Sequence, residues 1–151
     1  MTTTQEAWSI LADVLDPEIP IVSVVDLGIV RDVAVHDDQV EVTLTPTYSG
    51  CPATLPIRQA VAAALRERFE HVKVSVNLAP AWTTDWITPL GRRRLEEFGI
   101  APPNPVANRP RACPQCGSTD TEQLSEFGST PCKALYRCRA CREPFDYFKC
   151  L

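Results

Sequence analysis

The sequence GIVRDVAVHDDQVEVTLT, residues 28–45, decides the fold of the first half of the chain. Apolar and polar residues alternate on both sides of the turn-forming segment 36–39, and a period of two is typical of half-buried strands. The stretch therefore predicts a β-hairpin with strands over 28–35 and 40–45. Alternation returns in residues 72–78, which predict a further strand.

Amphipathic helices are predicted on both sides of this hairpin. Thr3 and Glu6 have the spacing of a capping box, and apolar residues follow at helical spacing as far as Leu15. A second helix is indicated by apolar residues that recur every fourth position, at Ile57, Val61, Leu65 and Phe69. The order helix, hairpin, helix, strand predicts an α+β domain whose helices cover one face of a small mixed sheet.

Charge and cysteine content divide the chain into two parts. Its 151 residues carry 15 Lys and Arg against 19 Asp and Glu, and six of the 7 cysteines follow residue 100. Four prolines within residues 100–110 interrupt regular structure. We predict a first domain at 1–99, a proline-rich linker at 100–111 and a second domain at 112–151. The net charge of −4 argues against a dedicated nucleic-acid binder.

The chain carries none of the sequence signals for a membrane or for export. No stretch has the roughly 18 consecutive apolar residues of a membrane helix, and the N-terminus lacks a secretory signal. A cytoplasmic protein without membrane contact is expected. Because the cytosol keeps thiols reduced, the cysteines point to metal binding or thiol chemistry rather than to disulfides.

Two Cys-x-x-Cys pairs, Cys113/Cys116 and Cys138/Cys141, are separated by 21 residues. This spacing is typical of zinc ribbons, in which four thiolates bind one Zn²⁺ in a tetrahedron. A metal with four protein ligands has no position for substrate, so we predict a structural zinc. An iron–sulfur cluster also takes four cysteines and stays open as the alternative. The additional thiols, Cys132 and Cys150, are predicted to be small buried groups, with a ligand or redox role left open.

Basic residues in the second half suggest contacts with partners. Tyr136, Arg137, Arg139 and Arg142 are expected to be exposed, and with an acidic chain overall they suit a protein partner better than nucleic acid. The run Arg92-Arg93-Arg94 belongs to a short predicted helix near Pro89. It is interpreted as a solvated face, with phosphate or an acidic partner as the alternative.

Cys51 lies alone in the first domain, in the segment Ser49-Gly50-Cys51-Pro52 before the second helix. A helix N-terminus stabilises a thiolate through its dipole and free amides, which favours a reactive or metal-binding thiol. A small structural thiol is the alternative. Asp16, Glu18 and Asp26 are further candidates, for which turn and capping roles are equally compatible with the sequence.

Three segments in order carry a family resemblance: Asp16-Pro17-Glu18-Ile19-Pro20, then 25–30 with Asp26, then Gly50-Cys51-Pro52. Over about residues 5–80 the sequence resembles small iron–sulfur assembly domains of the SufT/MIP type. With the cysteine-rich tail, including 124–130 and 145–150, the whole chain resembles the PaaD (PaaJ) family.

The resemblance implies an accessory protein of phenylacetate degradation that matures the phenylacetyl-CoA epoxidase complex. It implies that Cys51 handles iron or a cluster in a loop shaped by Asp16, Glu18 and Asp26, and that the iron–sulfur reductase subunit is the client. The sequence lacks a Glu-x-x-His pair and a dinucleotide fingerprint, in agreement with a non-enzymatic role.

Two other interpretations stay open beside this one. A homodimer is considered, because one cysteine supplies too few ligands for a metal centre. A stoichiometric structural subunit of the monooxygenase, with no metal transfer, is the alternative function, and a nucleic-acid-binding ribbon ranks last.

Overall fold

The computed structural model describes residues 3–47 and 51–150. The chain forms two compact units, Met1–Thr88 and Pro89–Leu151. Ser49 and Gly50, which belong to the predicted Cys51 motif, lie outside the described residues. No helix of the described ranges is long and apolar enough to cross a membrane.

The first unit is the predicted α+β domain. Its elements are α1 (Thr4–Leu11), β1 (Val30–His36), β2 (Gln39–Leu44), α2 (Thr54–Arg66) and β3 (His71–Val76). The three strands form one sheet in the order β1-β2-β3, with β1 antiparallel and β3 parallel to β2. Helix α1 contacts α2 and β1, and α2 contacts β3, so both helices cover the same face. The predicted mixed sheet is confirmed.

Both ends of α1 have a visible cause. The capping box forms as predicted, since the Glu6 amide donates to Thr3 Oγ1 at 3.1 Å and the Thr3 amide donates to Glu6 Oε2 at 3.3 Å. The helix ends at Leu11, earlier than the predicted Leu15. The Val14 carbonyl accepts a hydrogen bond from the Val24 amide at 2.9 Å, and this bond replaces a further helical turn.

The core of the first unit lies between the helices and the sheet. In β2 the side chains alternate, with Val40, Val42 and Leu44 buried. Helix α2 buries the predicted stripe at Ile57, Val61 and Leu65. Burial of apolar stripes from a helix and a sheet against each other is the main stabilising term of such a layer.

The second unit contains the predicted ribbon. Its elements are α3 (Pro89–Glu97), β4 (Ile100–Ala101), β5 (Thr121–Ser125), β6 (Lys133–Cys138) and β7 (Pro144–Phe148). They form a sheet in the order β4-β7-β6-β5, in which β4 is parallel to β7 and the other pairs are antiparallel.

The division between the units differs from the one drawn at 1–99, 100–111 and 112–151. Ile100 and Ala101, placed in the linker, are buried and pair with β7. Farther along, the Asn104 amide donates to the Tyr147 hydroxyl at 3.0 Å. The prolines that follow β4 prevent a longer strand, but the two residues before them still have backbone groups that can pair. The proline-rich segment is thus part of the second unit.

Candidate metal centre and acidic loop

The ribbon brings four cysteine side chains to one point. The Sγ atoms of Cys113, Cys116, Cys138 and Cys141 all lie within 4.8 Å of one another. The Cys113–Cys141 distance is 3.7 Å and the Cys116–Cys138 distance is 3.5 Å. A tetrahedral zinc site with bonds of about 2.3 Å has sulfur–sulfur edges of about 3.8 Å. The four residues therefore fit a tetrahedral tetrathiolate site.

Each Cys-x-x-Cys pair sits on a similar tight turn. Gly117 and Arg142 follow the second cysteine of their pairs, and both have positive φ, +80° and +66°. The Gly117 amide donates to the Cys113 carbonyl at 2.9 Å. Glycine adopts this conformation without a steric cost at Gly117, whereas Arg142 adopts a conformation that side chains disfavour.

Backbone amides and neighbouring thiols shift the pKa values of two cluster cysteines in opposite directions. The Cys141 amide donates to Cys138 Sγ at 3.4 Å and lowers the pKa of that thiol to about 6, with a further contribution from Cys116. The pKa of Cys141 is raised to about 12: the Glu143 amide acts to lower it, but burial and hydrogen bonding with the other sulfurs outweigh that effect. Four thiolates this close need a bound cation to stay ionised together.

The two additional thiols lie outside this cluster. Cys132 is buried, and its Sγ lies 3.0 Å from Thr130 Oγ1. The Cys150 sulfur lies 3.7 Å from the Tyr147 hydroxyl, and the Cys150 amide donates to Asn108 Oδ1 at 2.9 Å. Both cysteines take part in packing and hydrogen bonding of the ribbon, so the choice among six candidate sulfurs reduces geometrically to four.

The ribbon surface differs from the predicted one in one residue. Tyr136 is buried, and its ring packs on Phe145 and edge-on against Tyr147, with centroid distances of 6.1 and 5.6 Å. The expectation that Tyr136 is exposed is wrong, because even-numbered residues of β6 face the core. Arg137 and Arg139 are exposed as expected.

Acidic side chains pair with these arginines on the ribbon. Both Arg137 and Arg139 bind Glu122, and Arg139 also binds Asp120 at 3.2 Å. The hydrogen bond from Arg137 lowers the pKa of Glu122. Exposed pairs of this kind contribute little to stability, but they leave less positive charge for a partner than the sequence suggests.

In the first unit, Asp16 holds the acidic loop together. Its Oδ1 accepts from the amides of Glu18 at 2.7 Å and Ile19 at 3.0 Å. Asp16 is buried and Glu18 is half-buried. Hydrogen bonds from backbone amides to an aspartate side chain close an Asx turn, and this turn orders the segment around Pro17.

Asp26 has a similar role at the entry to the sheet. Its Oδ2 accepts from the Ser23 amide at 3.1 Å, while the Asp26 amide donates to Ser23 Oγ at 3.0 Å. Asp26 is buried, and its carbonyl accepts from Thr88 at 2.9 Å. This reciprocal pair closes the turn that leads into Gly28 and β1.

Cys51 is half-buried and precedes α2 by three residues. Its carbonyl accepts from the Thr54 amide at 3.1 Å, so the thiol lies on the turn before the helix rather than in its first turn. Within residues 3–47 and 51–150, the four ribbon cysteines are the one group of three or more His, Cys, Asp or Glu side chains that converge on a metal position. The structure does not gather Cys51, Asp16, Glu18 and Asp26 into such a group.

Two tryptophans near this loop act as anchors that the sequence pattern did not predict. Trp82 Nε1 donates to the Leu27 carbonyl at 2.9 Å, and the Arg31 guanidinium lies 3.6 Å from the centroid of the Trp86 ring. They tie the segment after β3 to the turn at Gly28. Their aromatic character was visible in the sequence, but their contacts depend on residues more than 50 positions away.

Matches to family models define the class of protein, an iron–sulfur assembly domain joined to a cysteine-rich ribbon. Residues 4–78 match the family described as iron-sulfur cluster assembly protein, and residues 104–149 match the PaaD zinc beta ribbon domain. The chain is also similar, at 51% identity over 97% of its length and 92% of the relative's, to an Escherichia coli K12 protein named as one of the subunits of 1,2-phenylacetyl-CoA epoxidase. The chain belongs to the PaaD family.

Two further relatives resemble the first unit. An Fe-S protein maturation auxiliary factor of Porphyromonas gingivalis is 34% identical over 58% of this chain and 86% of its own length. A domain of unknown function from Bacillus anthracis, known from its crystal structure, aligns with a TM-score of 0.57 and 27% identity over 61% of this chain and 90% of its own. These comparisons support the same fold for the first unit.

Proposed function

We propose that this chain is an accessory maturation factor for a phenylacetyl-CoA epoxidase, which assists assembly or insertion of an iron–sulfur cluster into the reductase subunit. One observation carries the proposal: a single polypeptide joins an assembly domain, similar to named Fe-S maturation factors, to a ribbon of the PaaD family. The chain itself is not the enzyme in this proposal, and its place of action is the cytoplasm.

Within this function, Cys51 is the thiol that handles iron or a cluster as cargo. It is half-buried, so solvent and a partner can reach it. Asp16 and Asp26 are engaged in backbone hydrogen bonds and act by shaping the surrounding loop, with Glu18 beside them. One cysteine leaves the remaining ligands to be supplied by the client, by a second copy of the chain in a homodimer, or by a small thiol.

The four ribbon cysteines hold a structural zinc in this proposal. Zinc prefers four sulfur ligands in a tetrahedron, and the distances among the four Sγ atoms suit this geometry. A saturated site offers no position for substrate, so its contribution is to the folding of the small second unit. Cys132 and Cys150 take no part in metal binding.

The test is replacement of Cys51 by alanine in cells that depend on this gene for epoxidase activity. We expect Cys51→Ala to fold normally and to leave the reductase poor in iron and acid-labile sulfide when it is isolated without oxygen. Cys150→Ala, another half-buried cysteine outside the cluster, is the matched control and should behave as wild type. Full cluster loading of the reductase by Cys51→Ala would refute the role of this thiol.

A stoichiometric structural component of the epoxidase is the second candidate, favoured by the name of the Escherichia coli relative, which counts that protein among the epoxidase subunits. Purification of the epoxidase from cells distinguishes the two. Retention of this chain in fixed proportion, with a normally loaded reductase in its absence, would favour the structural component. A maturation factor should bind transiently and be missing from the finished complex.

A further inference from the structure

The outer edge of β3 is open and lies beside α2. The sheet order is β1-β2-β3, so β3 pairs with β2 alone among the strands of the described residues. Unpaired backbone groups along a strand edge form a template on which another strand can add. This edge is distinct from Cys51 and from the ribbon cysteines, and it has no role in the function proposed above.

The hydrogen bonds of the ladder determine which groups face outward. The amides of His71 and Asn77 donate to carbonyls on the β2 side at 3.1 and 2.8 Å. Because backbone groups alternate in direction along a strand, odd-numbered residues face β2. The outward amides and carbonyls are those of Val72, Val74 and Val76.

A groove lies along this edge between β3 and α2. Its volume is about 420 Å³. Its lining is formed by Leu55, Arg58, Gln59, Ala62, Arg66, Val72, Lys73 and Val74. The valines of β3 are half-buried, and Leu55 is 61% exposed, so apolar surface is available beside the open backbone groups. Such a combination of helix and strand edge suits an extended peptide.

The rim of the groove is basic. Arg58 and Arg66 are exposed and make no ion pair within the part of the chain that the structure describes. Lys73 pairs with Glu41 at 3.1 Å. The Arg58 guanidinium donates to the outward carbonyl of Val74 at 3.1 Å, which shows that this carbonyl accepts a donor from outside the sheet.

The positive charge of the rim favours a different protein over a second copy of this chain as the partner that binds the groove. Edge-to-edge pairing of two β3 strands would bring the same lysines and arginines together, and a lysine on an edge strand disfavours self-pairing. An acidic segment would instead be attracted by Arg58 and Arg66 and held by backbone hydrogen bonds.

We propose that the groove between α2 and the edge of β3 binds an extended, acidic segment of a partner protein, which adds to the sheet as a further strand. The amides of Val72, Val74 and Val76 and the carbonyls of Val72 and Val76 bind its main chain. Arg58, which already donates to the Val74 carbonyl, and Arg66 select its negative charge. The inference stands apart from any role of Cys51, so either can fail without the other.

The experiment uses the full chain and a fluorescein-labelled nine-residue peptide of alternating glutamate and valine, compared with a peptide in which lysine replaces glutamate. We expect the acidic peptide alone to bind, and the double variant Arg58→Glu, Arg66→Glu to weaken binding by at least about tenfold, equivalent to about 1.4 kcal/mol. Arg93→Glu changes an exposed arginine outside the groove and should leave binding within about twofold.

A second measurement separates strand addition from simple charge attraction. Amide hydrogen exchange at Val72, Val74 and Val76 should slow when the peptide binds. Two peptides, N-methylated at either the odd or the even positions, test the pairing from the other side: only the one whose methylated amides face β3 should lose binding. Equal binding of both N-methylated peptides, or displacement of the peptide by a single-stranded oligonucleotide at equal concentration, would overturn the proposal.

Val74→Pro gives an independent test on the protein side. It removes an outward amide while leaving the hydrogen bonds between β2 and β3 in place, as proline on an edge strand allows. We expect a folded protein, checked by circular dichroism, that no longer binds the acidic peptide. Undiminished binding by this folded variant would contradict strand addition.

Discussion

At Gly28, a side chain is incompatible with the fold of the first unit. Its φ is +72°, and a Cβ atom there would lie 2.5 Å from the Trp86 carbonyl oxygen and 2.6 Å from the Trp86 Cβ. Neither contact can be relieved by rotating a flexible side chain. Gly28 therefore allows the turn from Asp26 into β1 to pass directly against the segment that carries Trp86.

Gly28→Ala should lower the free energy of unfolding of the first unit by about 2–4 kcal/mol, through positive φ and the clash with Trp86 together. Gly117→Ala is the matched control, because Gly117 has φ +80° but no atom within 4 Å of its Cβ position. Its cost should be about 1 kcal/mol, in the second unit. Urea denaturation measures both, and equal losses would show that the Trp86 contact is unimportant.

Asp16 stabilises its loop by accepting hydrogen bonds from two backbone amides. We therefore expect substitutions of Asp16 to lower the free energy of unfolding by different amounts, according to how many of these bonds they keep. Asp16→Ala leaves the amides of Glu18 and Ile19 without their acceptor and should cost about 1–3 kcal/mol in unfolding free energy. Asp16→Asn keeps one side-chain carbonyl oxygen and should cost less. If denaturation shows the two variants to be equally unstable, the negative charge matters more than the hydrogen-bond geometry.

At the scale of elements, we expect the two Cys-x-x-Cys turns to depend on the proposed zinc more than on packing. Cys113→Ser should abolish stoichiometric zinc binding and unfold the ribbon, because the small second unit has a limited core. Cys132→Ala removes a buried thiol that lies outside the cluster and should retain zinc. Zinc content by mass spectrometry and amide dispersion by NMR check both. Loss of zinc in Cys132→Ala would contradict the four-ligand assignment.

The elements that were predicted correctly have their cause within their own residues. The alternation around Val40 and the four-residue spacing of α2 appear in the sequence, as does the capping box at Thr3. By contrast, α1 ends because Val14 bonds to Val24, and β4 exists because Ile100 finds a partner in β7. Such pairings fall outside the repeat of a helix or a strand, so local patterns do not reveal them.

The candidate sites show the same contrast. Cysteine spacing was sufficient to identify the four converging sulfurs, since each turn requires only neighbouring residues. The burial of Tyr136 and the basic groove beside β3 depend on which face and which edge of a sheet a residue occupies. Strand order decides the edge and packing of the sheet decides the face, and neither is encoded in any single stretch of sequence.

For the whole molecule, the distribution of tryptophan allows the two units to be followed separately. Trp8, Trp82 and Trp86 are the 3 tryptophans of the chain, and all lie in the first unit. Tryptophan fluorescence therefore reports unfolding of residues 1–88, whereas release of the proposed zinc would report on the ribbon.

Removal of zinc by a chelator should unfold the second unit. The free energy of unfolding of the first unit, measured by tryptophan fluorescence, should change by no more than about 0.5 kcal/mol. The measurement is urea denaturation before and after chelation, with an indicator dye for released zinc. A large loss in the tryptophan-detected stability would show that the two units unfold as one cooperative body.

The unequal turns of the ribbon have a consequence for the order in which the centre comes apart. Gly117 adopts its left-handed conformation freely, but Arg142 bears a conformational cost of about 1–2 kcal/mol. Opening of the turn after Cys141 relieves that cost, while opening of the turn after Cys116 relieves none. We therefore expect the proposed zinc to be released in a fixed order. Cys138 and Cys141 dissociate from the ion first, and Cys113 and Cys116 dissociate last.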